Sequence, residues 1–286
     1  MVSNVINDTA EKLLNPVVVI PVHTQFPTKD EQWSLRRCGL VLSKHQICIV
    51  HPSGLNIDAY LSLIPQAKLV HVPPAWMESK RAYNRMLINS NFFRIFDAYT
   101  HLLIHEPDAL VVSDCLTDWC EAGFDFIGAP LFLGYAKALP NAPFNGELNS
   151  GFSLFCIETT IRFLDSRFRW YKYRNAIYHL LRRLLRRPCD GITIAYAMRG
   201  LGEPGLIKGA YKLTNLNCDL FLCRFASKVS PRYVLPKPEE ATRFSWDAMP
   251  ERCHQLNNGK LPFGIHAWAR YNRGFIENFV VSTFSK

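Results

Sequence analysis

The sequence predicts an α/β fold, in which a mostly parallel central sheet is flanked by helices within a single domain. Two observations predict it. Short apolar runs that end at Pro, Gly or His alternate with helical periodicity over the first 105 residues, as in doubly wound sheets. The chain has 286 residues, of which 48% are hydrophobic and 20% are charged, so it contains enough apolar side chains for a sizeable core.

The predicted elements follow one another with short connections. Strands are predicted at residues 17–20, 46–50, 68–72 and 101–105, which are runs of aliphatic and β-branched residues. Helices are predicted from a cap at Thr28 or Asp30 through residue 42, and over residues 83–96. Residues 134–149 are rich in Pro, Asn, Gly and Ala, which favours a loop that serves as a mobile lid.

The chain divides into an N-terminal extension, residues 1–15, and one domain, residues 16–286. Ligands of such sheets bind beyond the carboxyl ends of the strands. The first residues are polar, and no apolar run approaches the roughly 20 residues needed to cross a bilayer. We therefore expect a cytoplasmic protein.

Positive charge is concentrated in one basic amphipathic segment, residues 161–187. The chain carries a net charge of +9, and residues 162–187 hold nine Lys or Arg against one acid, interleaved with aromatic residues and Leu. This composition suits a peripheral contact with an anionic membrane surface on the cytoplasmic face, through Arg182, Arg183, Arg186 and Arg187. A solvated helix packed by one face is the alternative. No nucleic-acid module surrounds the segment, so we expect no nucleic-acid partner.

An acid pair follows the fourth predicted strand. Glu106 and Asp108 stand at positions i and i+2, on either side of Pro107, where the apolar run of residues 101–105 ends. Two carboxylates at a strand end suit a hard divalent cation that also holds a diphosphate. A solvated turn is the structural alternative.

The stretch LLIHEPDALVVSD, residues 102–114, resembles the Asp-x-Asp segment of GT-A-fold glycosyltransferases. Three further segments follow in the order that these enzymes show, namely residues 149–154 (NSGFSL), 188–190 (PCD) and 263–268 (FGIHAW). With residues 125–130 (DFIGAP), they resemble a bacterial and fungal group of glycosyltransferase-like proteins over about residues 17–277. The sequence departs from the GT-A pattern at Glu106, where Asp is usual, and at Cys189, where an acid is usual.

The resemblance implies a GT-A-like fold and a nucleotide-sugar donor, with Mn²⁺ or Mg²⁺ as cofactor. It also implies a nucleotide-binding part over about residues 16–115 and an acceptor-binding part over about residues 116–286. It implies that Asp108, Glu106 and His266 hold the metal, which would stabilise the departing diphosphate as a Lewis acid. It assigns Asp190 as the base that deprotonates the acceptor hydroxyl. The remaining implied positions are Pro21, His23, Thr24, Tyr83 and Asn84 with Asp108 at the nucleotide sugar, and Asn149, Gly151, Phe152, Asp125 and Trp268 around the donor and acceptor sugars.

Each of these assignments has a structural alternative. Asp190 is also a suitable N-cap for a helix over residues 191–199, and His266 between aromatic residues is also typical of a core histidine. Gly151 also suits a tight turn, and Tyr83 and Asn84 also suit a helix cap.

The predicted function is transfer of a sugar from a nucleoside diphosphate sugar to a carbohydrate or glycolipid acceptor, of the cell-surface polysaccharide or lipopolysaccharide type. Inversion at the anomeric carbon with Asp190 as base is favoured, and a retaining reaction stays open. The alternatives are a catalytically degenerate sugar-binding protein and a membrane-peripheral scaffold.

Overall fold

The computed structural model describes residues 13–165, 217–229 and 232–284. The strands are β1 (Pro16–Pro21), β2 (Gln46–Pro52), β3 (Lys68–Val72), β4 (His101–His105), β5 (Leu110–Val111), β6 (Phe126–Phe132), β7 (Phe144–Cys156), β8 (Ser245–Trp246) and β9 (Gly264–Ile265). The helices are α1 (Lys29–Val41), α2 (Asp58–Leu61), α3 (Lys80–Met86), α4 (Ser90–Arg94), α5 (Leu116–Glu121), α6 (Ile157–Asp165), α7 (Cys218–Val229), α8 (Pro238–Phe244), α9 (Pro250–Leu256) and α10 (Arg273–Phe284).

The central sheet has six strands in the order β3-β2-β1-β4-β7-β6. Strands β3, β2, β1 and β4 pair in parallel, and β7 is antiparallel to both β4 and β6. Five strands therefore point in one direction, and the predicted mostly parallel α/β sheet is confirmed. Because β7 belongs to the predicted acceptor-binding part and lies beside β4, both predicted parts of the domain share this sheet.

Apolar side chains cover both faces of the sheet. Alternate residues of β1 enter different cores, with Val17 and Val19 on one face and Val18 and Ile20 on the other. All four side chains are fully buried. Burial on both faces explains why β1 is a continuous apolar run in the sequence.

A second sheet of three short strands, in the order β5-β9-β8, lies next to the carboxyl end of β4. Strand β5 is antiparallel to β9, and β8 is parallel to β9. The two residues that precede β5 and the residues that follow β8 and β9 therefore meet at one end of this sheet. Those positions hold Asp108, Asp247 and His266.

The helix predicted over residues 83–96 is wrong as a single element. The structure has two helices instead, α3 and α4, separated by a turn at residues 87–89. The Asn89 side chain accepts a hydrogen bond from the Asn91 N–H and caps α4. Asn is a preferred cap, so it starts a new helix within an apolar pattern that would otherwise continue.

The loop predicted over residues 134–149 is shorter than expected, because β7 begins at Phe144. The Phe144 ring stacks on Phe132 of β6, with centroids 4.6 Å apart. This stacking extends the β6–β7 ladder into a stretch whose composition favours a loop.

Among the residues that the structure describes, none of the helices combines the length and apolar character needed to cross a bilayer. The basic segment begins in α6, but its residues from 166 onward, with Arg182, Arg183, Arg186 and Arg187, lie outside the described residues.

Candidate functional site

Two carboxylates emerge where β4 ends. After His105, a turn closed by the Ala109 N–H on the Glu106 carbonyl, at 2.8 Å, carries Glu106 and Asp108 before β5 begins. The Glu106 N–H also donates to the Gly151 carbonyl of β7 at 2.9 Å. The turn is thus held by backbone bonds, and its two acids project from the carboxyl edge of the parallel strands.

His266 completes a three-residue group with these acids. It follows β9, and its backbone N–H donates to the Trp246 carbonyl at 2.8 Å. Its Nε2 lies 3.3 Å from Glu106 Oε2 and 3.6 Å from Asp108 Oδ1. One ligand atom from each of Glu106, Asp108 and His266 lies within 4.8 Å of the other two. Two carboxylates and one imidazole form a donor set that fits a divalent metal ion.

The charges within this group act on one another. Burial lowers the pKa of His266, but hydrogen bonds to Asp247 and Glu106 outweigh it and raise the pKa well above its usual range. Burial raises the pKa of Glu106, yet His266, Tyr83 and Lys80 bring it below the ordinary value. Asp108 has a raised pKa because it is desolvated. Without a metal, the positive imidazole compensates the clustered acids.

Gly151 is required by close packing against His266. A Cβ atom at position 151 would lie 2.1 Å from His266 Cδ2 and 2.2 Å from Nε2, which is closer than side chains approach. The φ angle of Gly151 is not in the left-handed region, so close approach explains the glycine and backbone strain does not.

Asp247 is a member of the site that the sequence reasoning missed. It follows β8, its side chain is fully buried, and its Oδ1 lies 3.2 Å from His266 Nδ1. Its other oxygen, Oδ2, is buried without a hydrogen-bond partner. The only signal for Asp247 in the sequence was an acid that directly follows a short strand ending in Trp. This pattern is too common to identify a site residue.

Asp219 is a second missed acid, in the first turn of α7. It is 5% exposed, and its Oδ1 accepts a hydrogen bond from the Leu220 N–H at 2.7 Å. Burial raises its pKa to about 6. The charge of Glu106 acts on this pKa in the same direction, and the charge of His266 acts in the opposite direction. The dipeptide Cys-Asp occurs at 218–219 as well as at 189–190, and this repetition was the signal in the sequence.

Tyr83 and Asn84, predicted to reach the nucleotide or to cap a helix, are both in α3. The Tyr83 hydroxyl is buried and has no hydrogen bond of normal geometry, but it is near enough to Glu106 to lower that pKa. Asn84 is buried, and its side-chain oxygen accepts the Cys218 N–H at 2.8 Å. Asn84 therefore anchors the start of α7, whereas Tyr83 lies beside the acids.

Pro21, His23 and Thr24 lie where β1 ends, on the same edge of the sheet as Glu106, since β1 and β4 are parallel. Pro21 is buried as the last residue of β1, and His23 and Thr24 are exposed. The Thr24 hydroxyl is 2.9 Å from the hydroxyl of Tyr60. The loop thus borders the site, with two polar side chains open to solvent.

Asn149, Phe152 and Trp268 surround the site in different ways. The Asn149 side chain accepts the Gly151 N–H at 2.8 Å and shapes that part of β7. Phe152 is fully buried and packs on Phe263. The backbone N–H of Trp268 donates to the Asp108 carbonyl at 3.3 Å, and the indole ring of Trp268 is almost completely buried. These three residues hold the backbone around the acids.

Asp125 lies at the opposite end of the central strands from the acids, near the amino end of β4. Its carbonyl accepts the N–H of Cys156, whose strand partner is His101, the first residue of β4. Glu106 follows the last residue of β4, so Asp125 is not brought to the acid group. Its carboxylate instead accepts the Val234 N–H at 2.6 Å.

Asp190, the predicted base, lies outside the described residues, as does Cys189. Their roles stay predictions.

Three solved structures show the range of similarity. LgtC, a galactosyltransferase solved with donor and acceptor sugar analogues, is 11% identical with a TM-score of 0.47 over 87% of this chain and 86% of its own. Mouse xyloside xylosyltransferase 1, in its apo form, is 10% identical with a TM-score of 0.45 over 88% and 97%. Core-mannan synthase A from Aspergillus fumigatus, in its Mn/GDP form, is 12% identical with a TM-score of 0.38 over 74% and 73%. At these identities and TM-scores, the comparisons carry no conclusion about the activity of this chain.

No curated protein matches the chain by sequence. One family model does match, over residues 66–266, which is more than two thirds of the chain and includes Glu106, Asp108, Gly151, Asp247 and His266. The chain therefore belongs to the family described as protein of unknown function DUF5672.

Proposed function

We propose that this protein is a metal-dependent glycosyltransferase, which transfers a sugar from a nucleoside diphosphate sugar to a carbohydrate or glycolipid acceptor. One observation carries the proposal. Glu106, Asp108 and His266 offer three ligand atoms within 4.8 Å of one another at the carboxyl edge of the parallel strands. Such an edge is where open α/β sheets bind their ligands.

The donor set supports a hard or borderline divalent ion such as Mn²⁺ or Mg²⁺, because two of the three groups are carboxylates. A bound divalent ion would stabilise the negative charge that develops on the departing nucleoside diphosphate. Lys80 adds a positive charge near Glu106, and its side chain is exposed. Among the residues that the structure describes, we assign Lys80 as the side chain that contacts the diphosphate.

The loop after β1 borders the same edge and supports a nucleotide position there. His23 and Thr24 are exposed in this loop, so both are accessible to a base or ribose. A donor that extends from this loop to the acids would place its sugar near Gly151, where β7 approaches His266.

Two carboxylates are candidates for the base that deprotonates the acceptor hydroxyl. Asp190 is the candidate from the sequence resemblance. Asp219 is favoured by its burial and by a pKa of about 6, which suits proton transfer near neutral pH. Comparing Asp190→Asn with Asp219→Asn separates them, because the base variant loses turnover and keeps donor binding.

The decisive experiment combines thermal-shift measurements with donor hydrolysis. A panel of nucleotides and nucleotide sugars is tested with and without Mn²⁺, and a ligand at 100 times its Kd stabilises the protein by about 2.7 kcal/mol. Asp108→Asn is expected to abolish both the Mn²⁺-dependent shift and the hydrolysis. Asp97→Asn, which changes an exposed aspartate, is the matched control.

If sugar nucleotides bind without hydrolysis or transfer to any acceptor, the protein is a sugar-binding member of the family that lacks turnover. If none of them binds, the proposed function is wrong. The membrane contact of the basic segment rests on sequence, and it is tested by liposome binding after Arg182, Arg183, Arg186 and Arg187 are neutralised.

A further inference from the structure

We propose that Asp247 is a positioning residue for His266, and that it directs the Nε2 atom of this imidazole toward the two acids. This inference rests on the proposed metal site. It adds a residue that takes no part in binding the metal directly, since its carboxylate faces the opposite side of the imidazole ring.

The hydrogen bond between Asp247 and His266 determines which ring nitrogen keeps its proton when the ring is neutral, as it must be to bind a metal ion. Asp247 Oδ1 lies 3.2 Å from His266 Nδ1. An ionised carboxylate has only acceptor atoms, so Nδ1 must be the donor. When the positive ring gives up a proton to bind a metal ion, Nδ1 keeps its proton and Nε2 supplies the lone pair. It is also the nitrogen that faces Glu106 and Asp108, at 3.3 and 3.6 Å.

The backbone holds this pair in register. Trp246 and Ile265 are partners in the parallel pairing of β8 and β9, and Asp247 and His266 are the next residues of these two strands. The His266 N–H donates to the Trp246 carbonyl at 2.8 Å. The two side chains are therefore fixed by strand pairing and not by a flexible loop.

Burial is the second, independent observation. The Asp247 side chain has no exposed surface, and its Oδ2 has no hydrogen bond of normal geometry. The charge of this carboxylate also acts on the Tyr135 hydroxyl. Burial raises the pKa of Tyr135, and the negative charge of Asp247 raises it further. A carboxylate in such a place is costly unless it acts on a charged or metal-bound partner, and His266 is the group that it touches.

The test uses Mn²⁺ alone as the probe on the full chain. Free Mn²⁺ is counted by electron paramagnetic resonance to obtain the affinity. Electron spin echo modulation of bound Mn²⁺ detects the coupling to an imidazole nitrogen, which is assigned by its loss in His266→Gln. A merely structural role would not change this nitrogen coupling.

Asp247→Asn is expected to lower the Mn²⁺ affinity about 10- to 100-fold and to weaken the nitrogen coupling, because an amide group can also donate to Nδ1. Asp125→Asn is the matched control. It changes a buried aspartate, 7% exposed, that also accepts one N–H but lies at the opposite end of the central strands. It is expected to leave both readings unchanged. If the Asn variant does not fold, Asp247→Ser gives the same comparison with a smaller neutral side chain.

A folded Asp247 variant with wild-type affinity and wild-type nitrogen coupling would overturn the inference and leave the metal site standing. Failure of the wild-type protein to bind Mn²⁺ would overturn the metal site and this inference together. The two failures are therefore distinguishable.

Discussion

Gly151→Ala is the sharpest test of the site geometry, because the added atom meets one residue. The new Cβ would lie 2.1 Å from His266 Cδ2, whereas ordinary contact begins at 3.4 Å. The ring must therefore retreat by about 1.3 Å, the difference between these distances. Asp247 holds its Nδ1 and the Trp246 carbonyl holds its backbone, so the retreat is resisted on two sides.

The consequence for metal binding follows from the tolerance of ligand distances. Metal–ligand distances in proteins vary by roughly 0.2 Å, which is far less than the shift that the methyl group demands. We expect Gly151→Ala to lose at least about tenfold in Mn²⁺ affinity. Overpacking of this kind costs about 1–3 kcal/mol of unfolding free energy. At about 2–4 °C per kcal/mol, the Tm falls by several degrees.

The assay is Mn²⁺ titration by electron paramagnetic resonance, with thermal unfolding in EDTA measured separately. Gly274→Ala is the matched control, since a Cβ there meets nothing within 4 Å and its φ angle is ordinary. If Gly151→Ala bound Mn²⁺ like the wild type and kept its Tm, His266 would not occupy the position described above. The metal site would then need other ligands.

Three further predictions concern the packing and charge around the site. Burial raises the pKa of Asp219 from 3.8 to about 6, so the folded state binds the proton more tightly and the unfolding free energy falls as pH rises from about 4 to 6, by about 3 kcal/mol. Asp219→Asn should remove this slope in denaturant titrations with EDTA, and equal slopes in the two proteins would contradict it. Asn84→Ala leaves the buried Cys218 N–H without its acceptor and should cost about 1–2 kcal/mol in the same titrations; no loss would mean that α7 is anchored elsewhere. Gly264→Ala puts a Cβ 2.4 Å from the buried Phe152 ring and should lower the Tm through a loss of about 1–3 kcal/mol, so an unchanged Tm would show that this ring has room to move.

Local sequence predicted the strands well because their signal is local. Strands β3 and β4 have the predicted bounds, and β1 and β2 differ from the prediction by one or two residues at their ends. Strands β1 and β4 are buried along their whole length, so their apolar runs stand out from their neighbours. Strand β3 lies at the edge of the sheet and is mostly exposed, with only Val72 fully buried. The capping box at Thr28 is equally local, because the side chains of Thr28 and Glu31 bond each other's backbone within one turn.

The two helices α3 and α4 show where local reasoning stops. Their apolar residues continue with helical spacing, but Asn89 and the turn before it divide them. The Asn89 cap competes with helix continuation, and the packing of both helices against the core decides between the two. The sequence pattern alone does not contain that comparison.

The acids of the site follow from the sequence, but their partners do not. Glu106 and Asp108 are two residues apart after an apolar strand, so their proximity is a property of the chain itself. His266 entered only through a resemblance of motifs, and Asp247 and Asp219 did not enter at all. These residues are more than 100 positions away from the acids, and no spacing rule connects them.

Tertiary structure decided these partners through strand pairing. The β5-β9-β8 sheet brings Asp108, His266 and Asp247 to one end, and β7 brings Gly151 against the imidazole. The sequence by itself determined the parallel sheet and the two carboxylates at the end of β4, since apolar runs and neighbouring acids are local features. Which other side chains face those carboxylates was decided by long-range backbone hydrogen bonds, because such pairing depends on the register between distant segments.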